Sequence, residues 1–255
     1  MSKRSNWSIP YAVFLVLFVV LPLVLVLLYA FQDGSGHLTL SNIGKFFRDR
    51  DALSTFAVSV EVALENTAIC ILLGYPAAWI LSNKKYNRSA VTIILFIMPM
   101  WINALMRTLA TAQLFTMLGI QLGKGTLLFG MVYDYLPFMI YPIYNILNKM
   151  DKSYAEAAVD LGATPWKAFW KVTVPLSMPG VMSGVLMVFM PTVSTFAISE
   201  FLTNNKIKLF GTIIQENINS SAWNYGAALA FIMLIIIGIT SLFQKDKDQA
   251  EGALI

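Results

Sequence analysis

Five ionisable side chains, Glu61, Glu65, Arg107, Asp134 and Glu200, stand inside or at the ends of long apolar runs. A charge at the centre of a lipid bilayer costs about 2.5–3.5 kcal/mol on insertion scales, so such groups face a cavity or a partner. Glu61 and Glu65 are four residues apart on one helical face near the end of their run, where a solvated helix end is the simpler reading. Asp134 lies between Tyr133 and Tyr135, and Glu200 follows Thr192, Ser194, Thr195 and Ser199; both patterns suit residues that line a water-filled passage. Arg107 reads as the buried partner of one of these acids, and the sequence leaves open which.

Covalent chemistry finds no comparable support. The segment GKGT at 123–126 invites comparison with a phosphate-binding loop, which needs Gly five positions before its second Gly and Ser or Thr directly after Lys. Leu118 and Gly125 occupy those places, so a short turn between two apolar runs is the better reading. His37 stands in a polar loop without neighbouring ligands, no Ser/His/Asp ordering stands out, and Cys70 is the single cysteine. The sequence therefore predicts no catalytic residues, no metal site and no cofactor bound by this chain.

The elements that must position those charges follow from composition. With 57% hydrophobic and 13% charged residues and a mean hydropathy of +0.67 over 255 residues, the chain is too apolar for a water-soluble domain. An all-α integral membrane protein is expected, a single domain over 1–255. Runs of about 20 apolar residues place six spans at roughly 10–31, 56–82, 90–118, 126–147, 179–203 and 223–244. The first is read as a retained span, because its apolar stretch is too long for a signal peptide and no small-residue cleavage site follows Tyr29. Pro99, Pro137, Pro142 and the pair Met190-Pro191 are places where spans would kink or break. The net charge of +4 is scattered between apolar blocks and forms no continuous patch, which argues against nucleic acid. Lys3, Arg4, Lys84, Lys85, Arg88, Lys149, Lys152, Lys167, Lys171, Lys245 and Lys247 fall on one side of six spans. Lys45, Arg48, Arg50, Lys124, Lys206 and Lys208 fall on the other, so the first side, with both termini, is predicted to be cytoplasmic.

The loop at 148–178 is then cytoplasmic and is polar enough to fold outside the lipid. Ser153 with Glu156 three residues on reads as a capping box opening a short helix that Gly162 ends in a left-handed cap. Thr164 is placed to cap a second helix, with Pro165 at its first position and Trp166, Phe169 and Trp170 at helical spacing. Pro175 should stop that helix, and Pro179 should restart the chain as the fifth span. Such a pair makes a protein-docking knob or, alternatively, an amphipathic hairpin on the lipid surface.

The order Glu156-Ala157-Ala158, Gly162, Val172, Val174, Pro175 resembles the EAA loop of binding-protein-dependent ABC importer permeases. Val replaces the usual Ile and Leu near the end of the motif. The stretches GYPAAW (74–79), MPMWINALMRT (98–108), LPFMIYPIYNILNKMDK (136–152) and PLSMPGVMSGVLMVFMPTVSTFAISEFL (175–202) are similar to the first permease subunit of the spermidine/putrescine branch. The resemblance implies a six-helix type I importer permease of the bacterial cytoplasmic membrane. It implies as partners a second homologous permease, an ATP-binding subunit dimer that uses the ATP, and a polyamine-type substrate-binding protein. Glu156, Ala157, Ala158, Gly162, Trp166, Phe169 and Pro175 would then couple to the ATPase. A polyamine passage needs spaced carboxylates and aromatic faces, which Trp101, Tyr133, Asp134, Tyr135, Ser199 and Glu200 would supply, although Trp and Tyr also populate interfacial belts. Import of ferric ion, sulfate or an amino compound, and secondary transport, remain the alternatives.

Overall fold

The computed structural model describes the backbone of residues 9–83, 87 and 90–252, with side chains over 10–83, 87 and 91–239. Lys3, Arg4, Lys84, Lys85, Arg88, Lys245 and Lys247, which contribute to the charge asymmetry, lie outside the described side chains. Among the described residues the regular elements are helical, apart from an isolated antiparallel bridge between Gln32 and Leu38. In chain order they are α1 (Pro10–Ala30, with a π-helical turn at Val16–Val20), α2 (Ser41–Arg48), α3 (Arg50–Ser82) and α4 (Ala90–Ile97), which runs into a 3₁₀ turn at Met98–Trp101. Then follow α5 (Ala104–Met117), α6 (Lys124–Lys149), α7 (Ser153–Asp160) and α8 (Pro165–Ser194, with a π-helical turn at Phe169–Thr173). The described chain ends with α9 (Ala197–Thr203), α10 (Phe210–Asn219) and α11 (Trp223–Gly252).

Helices α1, α3, α6 and α8 are each long and apolar enough to cross a bilayer. The expected span at 90–118 is not one straight helix: α4 with its 3₁₀ turn and α5 meet at a bend of 89°. Pro99 sits in the 3₁₀ turn, and the Asn103 side chain accepts from the amides of Leu105 (2.9 Å) and Met106 (3.4 Å), so a new helix is capped where the old one stops. The expected span at 179–203 also divides, with α8 ending at Ser194 and α9 beginning at Ala197. At that break a Cβ on Gly211 would lie 2.2 Å from the carbonyl oxygen of Ser194, so only glycine lets α10 start against the exposed helix end. The last expected span falls within α11, whose described apolar stretch, Trp223–Ile239, is shorter than the other spans. Pro137 and Pro142 lie buried inside a continuous α6 and do not interrupt it.

The interior forms where α3, α6 and α8 pack on one another, around Cys70, Ala78, Met139, Ile140, Ile143 and Val188. Backbones approach closely there: a Cβ on Gly184 would sit 2.7 Å from the Met139 sulfur, and one on Gly180 would sit 3.0 Å from the Pro142 carbonyl oxygen. Lipid is as apolar as leucine, so small residues and interhelical hydrogen bonds hold such helices together. Asn66 donates to Thr192 Oγ1 (2.9 Å), joining α3 to α8, and Tyr75 and Ser177 share a hydrogen bond of 2.8 Å between the same two helices. Helix α11 packs along α1 and α10, and α9 packs against α5 and α6.

Pro175 does not stop a helix, and Pro179 does not start one. The chain runs helically from Pro165 to Ser194, widening into a π-helical turn at Phe169–Thr173 directly before Pro175. A proline ring clashes with the carbonyl four residues back in a regular helix; the wider turn makes room for it, and Val174 donates to Phe169 five residues back. The loop's second helix is thereby continuous with the span that follows.

Candidate functional site

The 148–178 loop folds as the sequence suggests in outline and departs from it in detail. Helix α7 begins at Ser153; the N-cap position is Lys152 and not Ser153, with no side-chain cap, and Asp151 Oδ1 just before it accepts from the Ser153 amide at 3.0 Å. That bond, together with the Ser153 hydroxyl, holds the Asp151 carboxyl below the usual carboxylate range. Gly162 has φ +87°, and the amide of Ala163 closes on Ala158 (3.0 Å), which is the left-handed helix stop expected there. Thr164 Oγ1 accepts from the Lys167 amide (3.3 Å), and Pro165 takes the first helical position.

The loop's aromatic residues divide by role. Phe169 is half-buried, its ring 5.6 Å from that of Trp79 and 6.0 Å from that of Tyr75, both edge-on, so it fastens the loop to α3. Trp166 stacks on Phe169 at 6.0 Å and stays 70% exposed. Glu156 and Ala157 are exposed, Ala158 is half-buried and Pro175 is exposed. Leu161 is 89% exposed, and Tyr154 and Val159 on α7 are exposed as well. Tyr154 and Leu161, seven residues apart and so on one side of the helix, make an outward face that the sequence motif did not single out, whereas Val159 lines the cavity between α7 and the body of the protein.

Across the core, Arg107 finds its acid. Its Nη2 lies 3.1 Å from Asp134 Oδ1, with the two side chains 6% and 2% exposed. Thr108 Oγ1 donates to the other carboxylate oxygen at 3.2 Å, and the guanidinium lies over the Tyr133 ring, 5.6 Å from its centroid. Tyr135, next in sequence, reaches the Thr195 side chain at the α8–α9 break. The cluster therefore ties α5, just past its bend, to α6 and to the end of α8. Nε and Nη1 of Arg107 are buried without a hydrogen-bond partner among the described residues, which marks the pair as incompletely satisfied. Asp134 does not present a free carboxylate, because its charge is compensated within the chain.

The other proposed passage residues are not gathered with it. Trp101 is highly exposed on the 3₁₀ turn beside the bend. Ser199 is fully buried and donates to the Ile207 carbonyl, closing the turn after α9 instead of facing open space. Glu200 is half-buried on α9, next to the two helices that carry the ion pair.

At the end of the molecule opposite the loop, a polar cavity of about 860 Å³ opens among α2, α3, α10 and the turns at 124 and 205–208. Lys124 bridges Glu61 (2.7 Å) and Glu65 (2.8 Å), Lys208 pairs with Glu216 (2.7 Å), and Lys45 lies 4.0 Å over the Tyr225 ring. Glu61 and Glu65 thus belong to a wet helix end, as their spacing indicated. The GKGT segment is a helix start, where Gly123 N donates to Thr126 Oγ1 at 2.8 Å.

Residues 53–246 match the family described as binding-protein-dependent transport system inner membrane component. The chain belongs to that family. The spermidine/putrescine transport system permease protein PotB of Escherichia coli (strain K12) is 31% identical over 251 residues, covering 89% of this chain and 91% of that protein. Its counterpart in Haemophilus influenzae is 30% identical over 249 residues, covering 88% and 87%. Among solved structures, a bacterial ABC transporter involved in import of the acidic polysaccharide alginate superposes with a TM-score of 0.68 at 18% identity, covering 97% of this chain and 98% of that one. The methionine ABC transporter MetNI superposes with a TM-score of 0.61 at 14% identity, over 78% and 94%. The protein is thus a permease subunit of an ABC importer, a multi-pass transport component of the inner membrane, and secondary transport is set aside.

In such a permease the two structured regions are mechanically joined. Helix α8 runs from Pro165 in the loop to Ser194 at the α8–α9 break, through the π-helical turn at Phe169–Thr173. There Thr195 meets Tyr135, the neighbour of Asp134.

Proposed function

We propose that this permease translocates polyamines, spermidine or putrescine, delivered by a polyamine-type substrate-binding protein. It pairs with a second homologous permease and is driven by a separate ATP-binding subunit dimer; the chain itself binds no cofactor. The observation that carries the cargo assignment is the similarity to spermidine/putrescine permeases along nearly the full length of both chains. The alginate and methionine transporters share the fold at below 20% identity, so the fold alone does not select a substrate.

In this reading both termini and the 148–178 loop face the cytoplasm. Glu156, Leu161 and Tyr154 meet the ATPase, Gly162 sets the bend, and Phe169, with Trp166 stacked on it, holds the loop to α3. Glu200, Tyr133 and Trp101 offer the cargo weak contacts, with cation–π faces worth about 0.5–2 kcal/mol each. Asp134 acts through Arg107 by fixing the Tyr133 ring. Weak contacts suit a passage that must release its cargo. The test is the intact complex, purified in mild detergent and reconstituted with its binding protein. ATP-dependent uptake of labelled spermidine or putrescine is expected, whereas uptake confined to ferric ion, sulfate or another non-polyamine solute would replace the cargo assignment.

A further inference from the structure

An apolar groove of about 670 Å³ runs between α3 and the start of α8. One wall is Ile71, Leu72, Tyr75, Pro76 and Trp79; the other runs from Pro165 through Trp166, Phe169 and Trp170 to Val181. Three observations bear on its occupant. Both walls belong to helices long and apolar enough to span the bilayer, and the α3 wall lies within the last 12 residues of that helix. At 1.5 Å per residue, Ile71 to Trp79 covers about 12 Å of depth measured inward from the helix end. The groove is open sideways: Leu72 in its wall is 72% exposed and is followed by exposed Leu73 and Ile80, a surface continuous with the rest of the lipid-facing helix. Its mouth carries Trp166 and Trp170, both exposed, each followed by an exposed lysine, Lys167 and Lys171.

Exposed tryptophans at the start of a membrane-length helix, an exposed lysine following each in sequence, and an apolar slot beside them make up the recognition chemistry of an anionic phospholipid. We propose that this groove holds one acyl chain of an anionic phospholipid of the leaflet on the loop side, with its headgroup at Lys167 and Lys171. The bound lipid wedges between α3 and the first turns of α8, on the far side of Phe169 from the protein interior. It thus sets how firmly the coupling loop is held against α3 while α8 moves. A transmembrane helix of the second permease is the competing occupant, which shielding of the groove residues in the assembled complex would reveal.

The experiment uses the whole reconstituted complex with phosphatidylglycerol carrying a photoreactive group on one acyl chain, and the same group on phosphatidylcholine as the reference. Crosslinks concentrated at Leu72, Tyr75, Trp170 and Met178, several-fold stronger with phosphatidylglycerol, are expected. In the Lys167→Gln/Lys171→Gln variant that preference should fall to about one while the complex stays assembled. Crosslinks spread evenly over exposed α1 and α3, equal labelling by the two lipids, or shielding of these four residues by the second permease would each overturn the proposal. Wild-type protein alone decides the first two outcomes, so a variant that fails to assemble leaves the test intact. Cargo uptake in the same vesicles reads the polyamine assignment separately.

Discussion

The coupling loop and the Arg107–Asp134 cluster solve opposite problems with opposite means. The loop is built from neighbours in sequence: a carboxylate two residues before α7's first position, one left-handed glycine, one threonine cap and one proline give its shape. Little of it is buried, and it is held to the body chiefly by Phe169 against Trp79 and Tyr75. The cluster joins residues 27 positions apart across two helices, is almost wholly buried, and rests on charge compensation in a low-dielectric interior. A loop that must move with a partner is better made of local bonds, which survive displacement as a unit. A fixed point in the membrane is better made of long-range ones, because breaking either partner exposes an unpaired charge.

Breaking the cluster should therefore have the largest effect. Arg107→Ala leaves Asp134 ionised or forces it to protonate in the interior, and loss of one member of a buried pair costs about 3–5 kcal/mol. Thermal unfolding of the detergent-purified complex should shift sharply downward, and Asp134→Ala should match it. Replacing both partners with apolar residues, Arg107→Met with Asp134→Leu, should recover much of the loss. Additive damage in that double variant would show that the two residues act independently and that the pairing is not what stabilises the region.

Breaking the loop should leave stability nearly intact and remove function. Gly162 has nothing within 4 Å of a prospective Cβ, so the obstacle to Gly162→Val is its φ of +87° alone, a strain of about 1–2 kcal/mol. Transport should fall at least tenfold with little change in thermal midpoint, and Gly162→Asn, which tolerates the left-handed region, should retain most activity. Equal activity in both variants would separate the bend from coupling.

The difference between the regions also explains what the sequence revealed. Caps, the left-handed glycine and the motif spacing are encoded within a few residues, so the loop's outline was legible. Its error, Pro175 as a helix stop, came from a π-helical turn whose widening absorbs the ring, and nothing in FWKVT announces that turn. The sequence marked Arg107 as one half of a pair but not Asp134 as the other, because Glu200 also stood within an apolar run and only packing of α5 on α6 selects between them. Ser199 read as a passage residue because a hydroxyl in an apolar run looks alike whether it faces water or caps the turn at Ile207. The divisions of the spans at 102–103 and 195–196 were half visible, in Pro99 and Pro191, but their positions were set by Asn103 and Gly211.

Between those extremes lies the exposed face of α7. Leu161 makes no packing that its loss would expose, so Leu161→Asp should change stability by less than about 0.5 kcal/mol, as expected for an exposed site. If that face meets the ATPase, the same change places a charge in an apolar contact and weakens association by about 1–3 kcal/mol, or roughly 5- to 150-fold. Co-purification of the ATPase with Leu161→Asp, compared with Tyr154→Asp on the same face, is the measurement. Retention of full ATPase stoichiometry in both would move the docking surface elsewhere on the loop.

The smallest effect should come from the far end, where Asp49 sharpens the comparison because it too is a local cap, but one tied to a distant helix. Its Oδ1 accepts from the amides of Asp51 (3.1 Å) and Ala52 (3.2 Å) at the start of α3, and its Oδ2 accepts from the Tyr225 hydroxyl on α11 at 2.9 Å. The Ala52 amide is the largest cause, followed among the favourable contacts by the tyrosine hydroxyl, and together they hold the carboxyl below its ordinary value. A group with a depressed folded-state pKa contributes stability that is complete above the unfolded pKa, near 4, and is lost as pH falls through the folded value. Asp49→Asn keeps the capping geometry and gives up the charge, so it should cost no more than about 1 kcal/mol at neutral pH. The wild-type and Asp49→Asn complexes should then converge in thermal midpoint as the buffer is taken below pH 4. Tyr225→Phe should show a similar but smaller loss, since it removes the interhelical bond and leaves the cap. A difference between wild type and Asp49→Asn that stays constant from pH 7 down to pH 3 would mean that the carboxylate's charge plays no part in joining α3 to α11.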